Sequence, residues 1–142
     1  MTNSCDAEIR HIYERWHECV VNGDLEGLVG LYAADAVLET PLIIATLPGK
    51  TEGILKGKTE IHAFFAAGFR KLHSSSARWY RTGLFFANGR QLVWEYPRQT
   101  PSGDQIDLVE VMDIAGGLIT SHRVYWGWVG FKMLTAAMQS RG

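Results

Sequence analysis

With 142 residues, 46% of them hydrophobic, the chain is long enough to bury a core of its own as one domain over 1–142, and nothing in it asks for a second. A formal net charge of -1 and scattered Lys and Arg leave no basic stripe for nucleic acid and no polybasic patch for a membrane surface. Met1 to Ile12 holds no apolar signal core, and no run approaches the roughly twenty apolar residues that span a bilayer, so a soluble, cytoplasmic protein is expected.

A first helix is expected from about Asp6 to Val21, where Ile9, Ile12, Tyr13, Trp16 and Val20 recur at the spacing of one apolar face. The same phase turns Glu14 and His17 toward solvent. Glu14-x-x-His17 occurs once, and the chain has no Cys-x-x-Cys, His-Glu-x-x-His or EF-hand loop, so no metal site is expected. Cys5 and Cys19 stand about 20 Å apart along that helix, too far to bridge. Asn22-Gly23 stops it, and Asp24 is a natural N-cap for a short second helix with Leu25, Leu28, Val29 and Tyr32 facing inward. A short strand follows from Ala36 to Thr40 and ends at Pro41, which cannot donate to a ladder. Leu42 to Gly57 reads as an irregular, unusually apolar loop, either a lid over a pocket or a loop packed on the core. The third helix runs from about Thr59 to Lys71, with Ile61, Phe64, Phe65, Phe69 and Leu72 on one side. After Ser74-Ser75-Ser76, strands from Ala77 to Ala87 and from Arg90 to Gln99 meet at Asn88-Gly89, a strong hairpin signal.

Asp104 to Phe131 is the most patterned stretch. Ile106, Leu108, Glu110, Met112 and Ile114 alternate with more polar positions, the period of a half-buried strand, and Glu110 is the one charge on its apolar face. Leu118 to Val129 reads as a second strand with His122, Val124, Trp126 and Trp128 on alternate positions. Two turns can join them. Three residues, Ala115-Gly116-Gly117, would set Glu110 opposite His122, whereas Gly116-Gly117 alone would set Glu110 opposite Arg123. Phe131 to Gln139 closes as a last helical turn or two. Three helices with one early strand, then a meander of four longer strands, make the class α+β: helices on a strongly curved, mainly antiparallel sheet, a cone whose open mouth would admit a ligand.

Gly23-Asp24-Leu25-Glu26, Leu31-Tyr32-Ala33-Ala34-Asp35-Ala36 and Glu39-Thr40-Pro41 resemble the N-terminal half of the ketosteroid isomerases. Gly57 before the third helix, Leu108-Val109-Glu110-Val111-Met112 and Val124-Tyr125-Trp126 are similar to later parts of that family. The resemblance spans nearly the whole chain and points to the nuclear transport factor 2-like superfamily, among its SnoaL-like and ketosteroid isomerase-related members, with their cone-shaped, cystatin-like fold. It implies that the family's general-base aspartate falls on Thr40, which cannot be that base, so a true ketosteroid isomerase is not expected. The oxyanion-hole tyrosine falls on Trp16, and its protonated aspartate partner on Glu110, which an apolar pocket can keep neutral as it does the family's aspartate. Limonene epoxide hydrolase, a second relative, would place its catalytic arginine and two aspartates on Val93, Glu95 and Val124, leaving only an acid. The SnoaL-like cyclases need an inward acid, often a histidine, and an apolar pocket, which Glu110, Glu95 and His122 can meet.

The expected catalytic residues are therefore Glu110, His122 and Glu95. Glu95 enters only through the resemblance, because Leu92, Trp94 and Tyr96 turn it outward. Trp16, Tyr32, Thr40, Phe65, Trp94, Val124 and Trp126 are the expected pocket lining, although aromatic residues at such spacings also serve as plain core. The reading is a protein that binds a small, largely apolar molecule and performs cofactor-independent acid–base chemistry of isomerase, cyclase or hydrolase type. Its alternatives are a non-catalytic binding protein and a structural module. A homodimer is expected through the outer face of the sheet, where Arg78, Trp79, Arg81 and Tyr125 fall.

Overall fold

The apolar stripe of the first segment closes as α1 (Ser4–Asn22), with Ile9, Ile12, Tyr13, Trp16 and Cys19 buried. This is a computed structural model, and it describes residues 4–71, 84–95, 99–100, 103–104 and 108–140. Gly23 ends α1 in a Schellman arrangement, its N–H bonded to Val20 O at 3.4 Å and the Asp24 N–H to Cys19 O at 2.8 Å. Asp24 then caps α2 (Leu25–Val29): one carboxylate oxygen accepts from Gly27 N at 2.9 Å and the other from Arg15 at 3.0 Å, which fixes the angle between the two helices.

Tyr32 is not on α2. It opens β1 (Tyr32–Glu39), four residues earlier than the expected strand, because Gly30 already ends the helix and Ile119 N–H binds Leu31 O at 2.8 Å. The stretch expected to be irregular from Leu42 to Gly57 holds two regular elements, α3 (Leu42–Thr46) and β2 (Ile54–Lys56), the latter antiparallel to β1. α4 (Lys58–Lys71) follows and buries Ile61, Phe64 and Ala67.

β3 (Phe86–Ala87) and β4 (Gln91–Glu95) meet at the expected Asn88-Gly89 turn, whose Asn88 side chain accepts from Arg90 N and Gln91 N. Residues 72–83 lie outside the described residues, and with them most of the strand expected from Ala77 as well as Arg78, Trp79 and Arg81. β5 (Gln99–Thr100) and β6 (Gly103–Asp104) form a small separate ladder. β7 (Leu108–Ala115) and β8 (Leu118–Trp126) make the long central hairpin, and α5 (Trp128–Gln139) leaves β8 earlier than expected to pack on α3.

The main sheet has the order β2-β1-β8-β7-β4-β3 and is curled without closing. It is antiparallel except where β1 runs parallel to β8, a pairing that brings Leu38 beside His122 across most of the chain. α1 and α4 cover one face, and the core lies between them and Leu38, Leu92, Trp94, Met112, Ile114 and Ile119.

The central turn uses Gly116-Gly117 alone, with φ of 59° and 75°, the mirror-image conformation that suits a twisted hairpin and that glycine adopts without strain. Neither expected register follows from it. Thr120 is an extra residue, a bulge between the Ile114–Ile119 and Asp113–Ser121 pairs, closed by Thr120 Oγ1 on Asp113 O at 3.1 Å. The bulge sets Glu110 opposite Val124 and Met112 opposite His122, so Glu110 and His122 are diagonal neighbours on the helix-covered face. Arg123 points to the other face and bonds Asp113 at 2.8 Å, holding that carboxyl below its ordinary range.

Candidate functional site

Opposed residues in a ladder share a face, and the registers line up two rows across the inner side of the sheet. One reads Trp94, Glu110, Val124, and the next reads Leu92, Met112, His122, Leu38. Glu110 is therefore the one carboxylate set among apolar neighbours in these rows. It is 4% exposed and His122 is 2% exposed. Burial at that level requires bonding partners, and they are present: His122 Nε2 lies 2.7 Å from Glu110 Oε1, and His122 Nδ1 lies 2.8 Å from the hydroxyl of buried Tyr32.

The bonding pattern accommodates a continuous arrangement of hydrogens. The Trp16 indole N–H can only donate, and it reaches the Tyr32 oxygen at 3.4 Å. Tyr32 can then give its own hydrogen to His122 Nδ1, in the tautomer that carries the ring hydrogen on Nε2, facing Glu110. Tyr32 and His122, the two inner links, then each accept and donate, which a buried chain of polar groups needs. Burial drives the Tyr32 phenol far above its ordinary pKa, only partly offset by the Trp16 hydrogen bond, and the Glu110 charge adds to the rise. Tyr32 thus serves this chain as a neutral hydroxyl that fixes the imidazole tautomer.

His17 corrects the expectation of a solvated helix face. It is buried, its ring 5.1 Å from that of Trp94 and 4.4 Å from that of Tyr13, and Nδ1–H donates to the Tyr13 carbonyl at 2.8 Å. Burial pushes its pKa down, against the Tyr13 hydrogen bond and the nearby Glu110 charge, so it waits as neutral imidazole. Counting it as polar hid it; the signal was its place one turn after Tyr13, at the edge of the apolar stripe.

The other expected residues separate cleanly. Glu95 pairs with Val109 on the outer face and is exposed, so strand alternation prevails over the epoxide hydrolase resemblance, and Glu95 does not join Glu110. Trp16, Tyr32 and Trp94 are fully covered, with Trp16 and Trp94 rings 5.3 Å apart and the Trp16 ring 6.2 Å from His122. Phe65 on α4 stands 5.8 Å from the Tyr32 ring and is half-buried. Val124, Trp126 and Leu108 are half-buried too, although they share the inner face with fully covered Met112 and His122. The inner face therefore opens to solvent at the Leu108–Trp126 end. There Trp126 Nε1–H donates to the buried Thr40 Oγ1 at 3.1 Å.

A cleft of about 420 Å³ runs along α1, between Arg10, Tyr13, Glu14, His17 and Phe85. Neither Glu110 nor His122 lines it, and the candidate site is assigned to that pair on its chemistry, not on cavity size. Among the described residues no three His, Cys, Asp or Glu side chains gather as a metal site, and no helix is long and apolar enough to cross a membrane.

Residues 13–122 match the SnoaL-like domain family. A steroid Δ-isomerase of Nocardioides simplex is 27% identical over 124 residues, covering 84% of this chain and 90% of its own. Among solved structures, a SnoaL-like protein of unknown function from Burkholderia thailandensis superposes with a TM-score of 0.67 at 17% identity, covering 86% of this chain and 96% of that one. An NTF2-like protein from Anabaena variabilis gives 0.66 at 19% identity, covering 92% and 96%. These structures share the fold with this chain.

Proposed function

Because this chain belongs to the SnoaL-like domain family, we propose that it binds a small, largely apolar molecule on the inner face of its sheet and performs cofactor-independent acid–base chemistry on it, of isomerase, cyclase or hydrolase type. The observation that carries this reading is the buried Glu110–His122 pair at 2.7 Å, backed by Tyr32. A carboxylate and an imidazole in direct contact can take a proton from a carbon acid and return it to a neighbouring atom. Tyr32 keeps the ring in the tautomer that presents Nε2–H to Glu110.

The test is hydrogen–deuterium exchange in a panel of small cyclic ketones and enones, followed by NMR. Glu110→Gln is expected to lower the rate by about 10²–10⁴-fold, and His122→Asn by a similar factor. The double variant should be little worse than either, since groups that act as a unit are non-additive. A ketosteroid in the same panel should turn over poorly, because Thr40 stands where the resemblance puts that family's base. Ligands that raise the melting temperature with no exchange would favour the second reading, a binding protein without catalysis, which the near-complete cover over Glu110 and His122 supports.

On the same footing the protein is a cytoplasmic homodimer that pairs through the outer face of the sheet. That face carries Tyr125 at 56% exposure and Phe86 at 77%, with Val93, Val109 and Val111 between them in the ladder. Light scattering should give about twice 15.9 kDa at micromolar concentration. A monomer mass that persists at a hundred micromolar would remove this proposal.

A further inference from the structure

Arg10, Glu14, Glu18 and Val21 recur at helical spacing, so the cleft of about 420 Å³ is a groove along some three turns of α1, with Phe85 on its other wall. That volume suits a small molecule. The Tyr13 ring lies 4.5 Å from that of Phe85 and 4.4 Å from that of His17, which makes the lining near Arg10 aromatic. Val21, at the other end, is apolar and exposed.

One cation already lies against this wall. The Arg10 guanidinium stands 5.1 Å from the centroid of the Phe85 ring, within cation–π range, and 3.7 Å from a carboxylate oxygen of Glu14. Both side chains of that ion pair are largely exposed, so the pair holds Arg10 only loosely. Glu14 and Glu18 stand one turn apart and repel each other. Arg10 answers the first, but Arg15 divides itself between Glu18 and Asp24, at 3.0 Å from each. Among the described residues of this cluster two cations thus face three carboxylates, and one negative charge is left over. His17 does not balance it, because burial keeps the imidazole neutral.

We propose that this cleft is a second binding site, for a small organic cation with an aromatic body, of the arylalkylamine class. The leftover charge selects a cation, and the rings and Val21 select an apolar body. The ligand's ammonium group takes the place that the Arg10 guanidinium now holds, between the Phe85 ring and the carboxylates of Glu14 and Glu18, and its ring lies along the groove toward Val21. Arg10 swings into solvent, at the small cost of an exposed pair. Neither Glu110 nor His122 lines the cleft, so this site stands whether or not that pair is catalytic.

Three probes of one shape test it: phenethylamine, a cation at neutral pH, the neutral 2-phenylethanol and the anionic 3-phenylpropionate, with binding to the full chain followed in their own NMR resonances. At low salt the amine is expected to bind about tenfold more tightly than the alcohol, and the propionate least well. The preference should shrink as salt is added. The double variant Glu14→Gln/Glu18→Gln should erase it. Arg10→Gln should tighten amine binding by about threefold, because it removes the resident cation, an effect that a merely structural Arg10 would not produce. Glu95→Gln, on the outer face of the sheet, is the control and should bind as the wild type does. All four positions are exposed, so these changes leave the core intact. Equal binding of amine and alcohol to the wild type, or no binding of the amine, overturns the proposal. So does a preference that survives the double variant, one that falls as far in Glu95→Gln, or an Arg10→Gln variant that binds the amine no better than the wild type.

Discussion

His122→Ala should destabilise the fold by about 3–5 kcal/mol, because removing one member of a buried pair takes from the other a hydrogen bond that water cannot readily replace. The loss would leave the Glu110 carboxylate, 4% exposed, without its 2.7 Å donor, and Tyr32 without the acceptor of its hydroxyl hydrogen. Urea titration with a two-state fit measures it. Arg123→Ala, one position along the same strand, is the control. Its bond to Asp113 is of equal quality at 2.8 Å but lies on the outer, partly solvated face, so its removal should cost no more than about 1 kcal/mol. Equal losses for the two would mean that burial does not set the strength of these pairs.

Trp94→Ala should cost a comparable 3–5 kcal/mol, roughly, by a different mechanism. Trp94 is 1% exposed and wedged between Tyr13, Trp16 and His17, with ring centroids at 5.6, 5.3 and 5.1 Å. Its removal leaves an apolar cavity next to Glu110, its ladder partner. Indole added to the variant should bind there and recover part of the melting temperature, as small aromatics do in dry cavities. Phe86→Ala, at 77% exposure, should change stability by no more than about 0.5 kcal/mol. A collapsed variant that binds no indole, with a loss below about 1 kcal/mol, would show that the interior repacks freely.

The contrast between these residues also shows what the sequence could convey. Alternation along Glu110, Met112 and Ile114 was enough to turn all three inward, and the same rule sent Glu95 outward. Local chemistry was enough for the Asp24 cap and the Asn88-Gly89 turn. Alternation also turned His122, Val124 and Trp126 inward, but their register against β7 was not legible, because a count from the turn has no term for an extra residue, and Thr120 carries no signal that sets it apart from a strand threonine. Nor could periodicity show the parallel β1–β8 ladder, a contact between distant parts of the chain that brings Tyr32 to His122. Tyr32 at helical spacing from Leu28 and Val29 looked like the end of α2 until the geometry of Gly30 closed that helix. His17 was misplaced for a simpler reason: its ring packs as an aromatic while its nitrogens count as polar in any hydropathy scale.

The Thr120 bulge has a consequence for how genes of this kind can change length. Ile119 faces the core on one side of it and His122 on the other, while Thr120 itself has no partner in the β7 ladder. Loss of its codon would leave a regular ladder with Ile119, His122 and Val124 still pointing inward. Loss of the Ser121 codon has the same result, Thr120 taking its place opposite Asp113, whereas loss of any one codon from His122 to Trp126 removes His122 or turns part of the strand inside out. Deletions should therefore survive selection at this one place in β8. What such a survivor gives up is the local twist that an extra residue lends a strand, and with it some of the curl of the sheet around its contents.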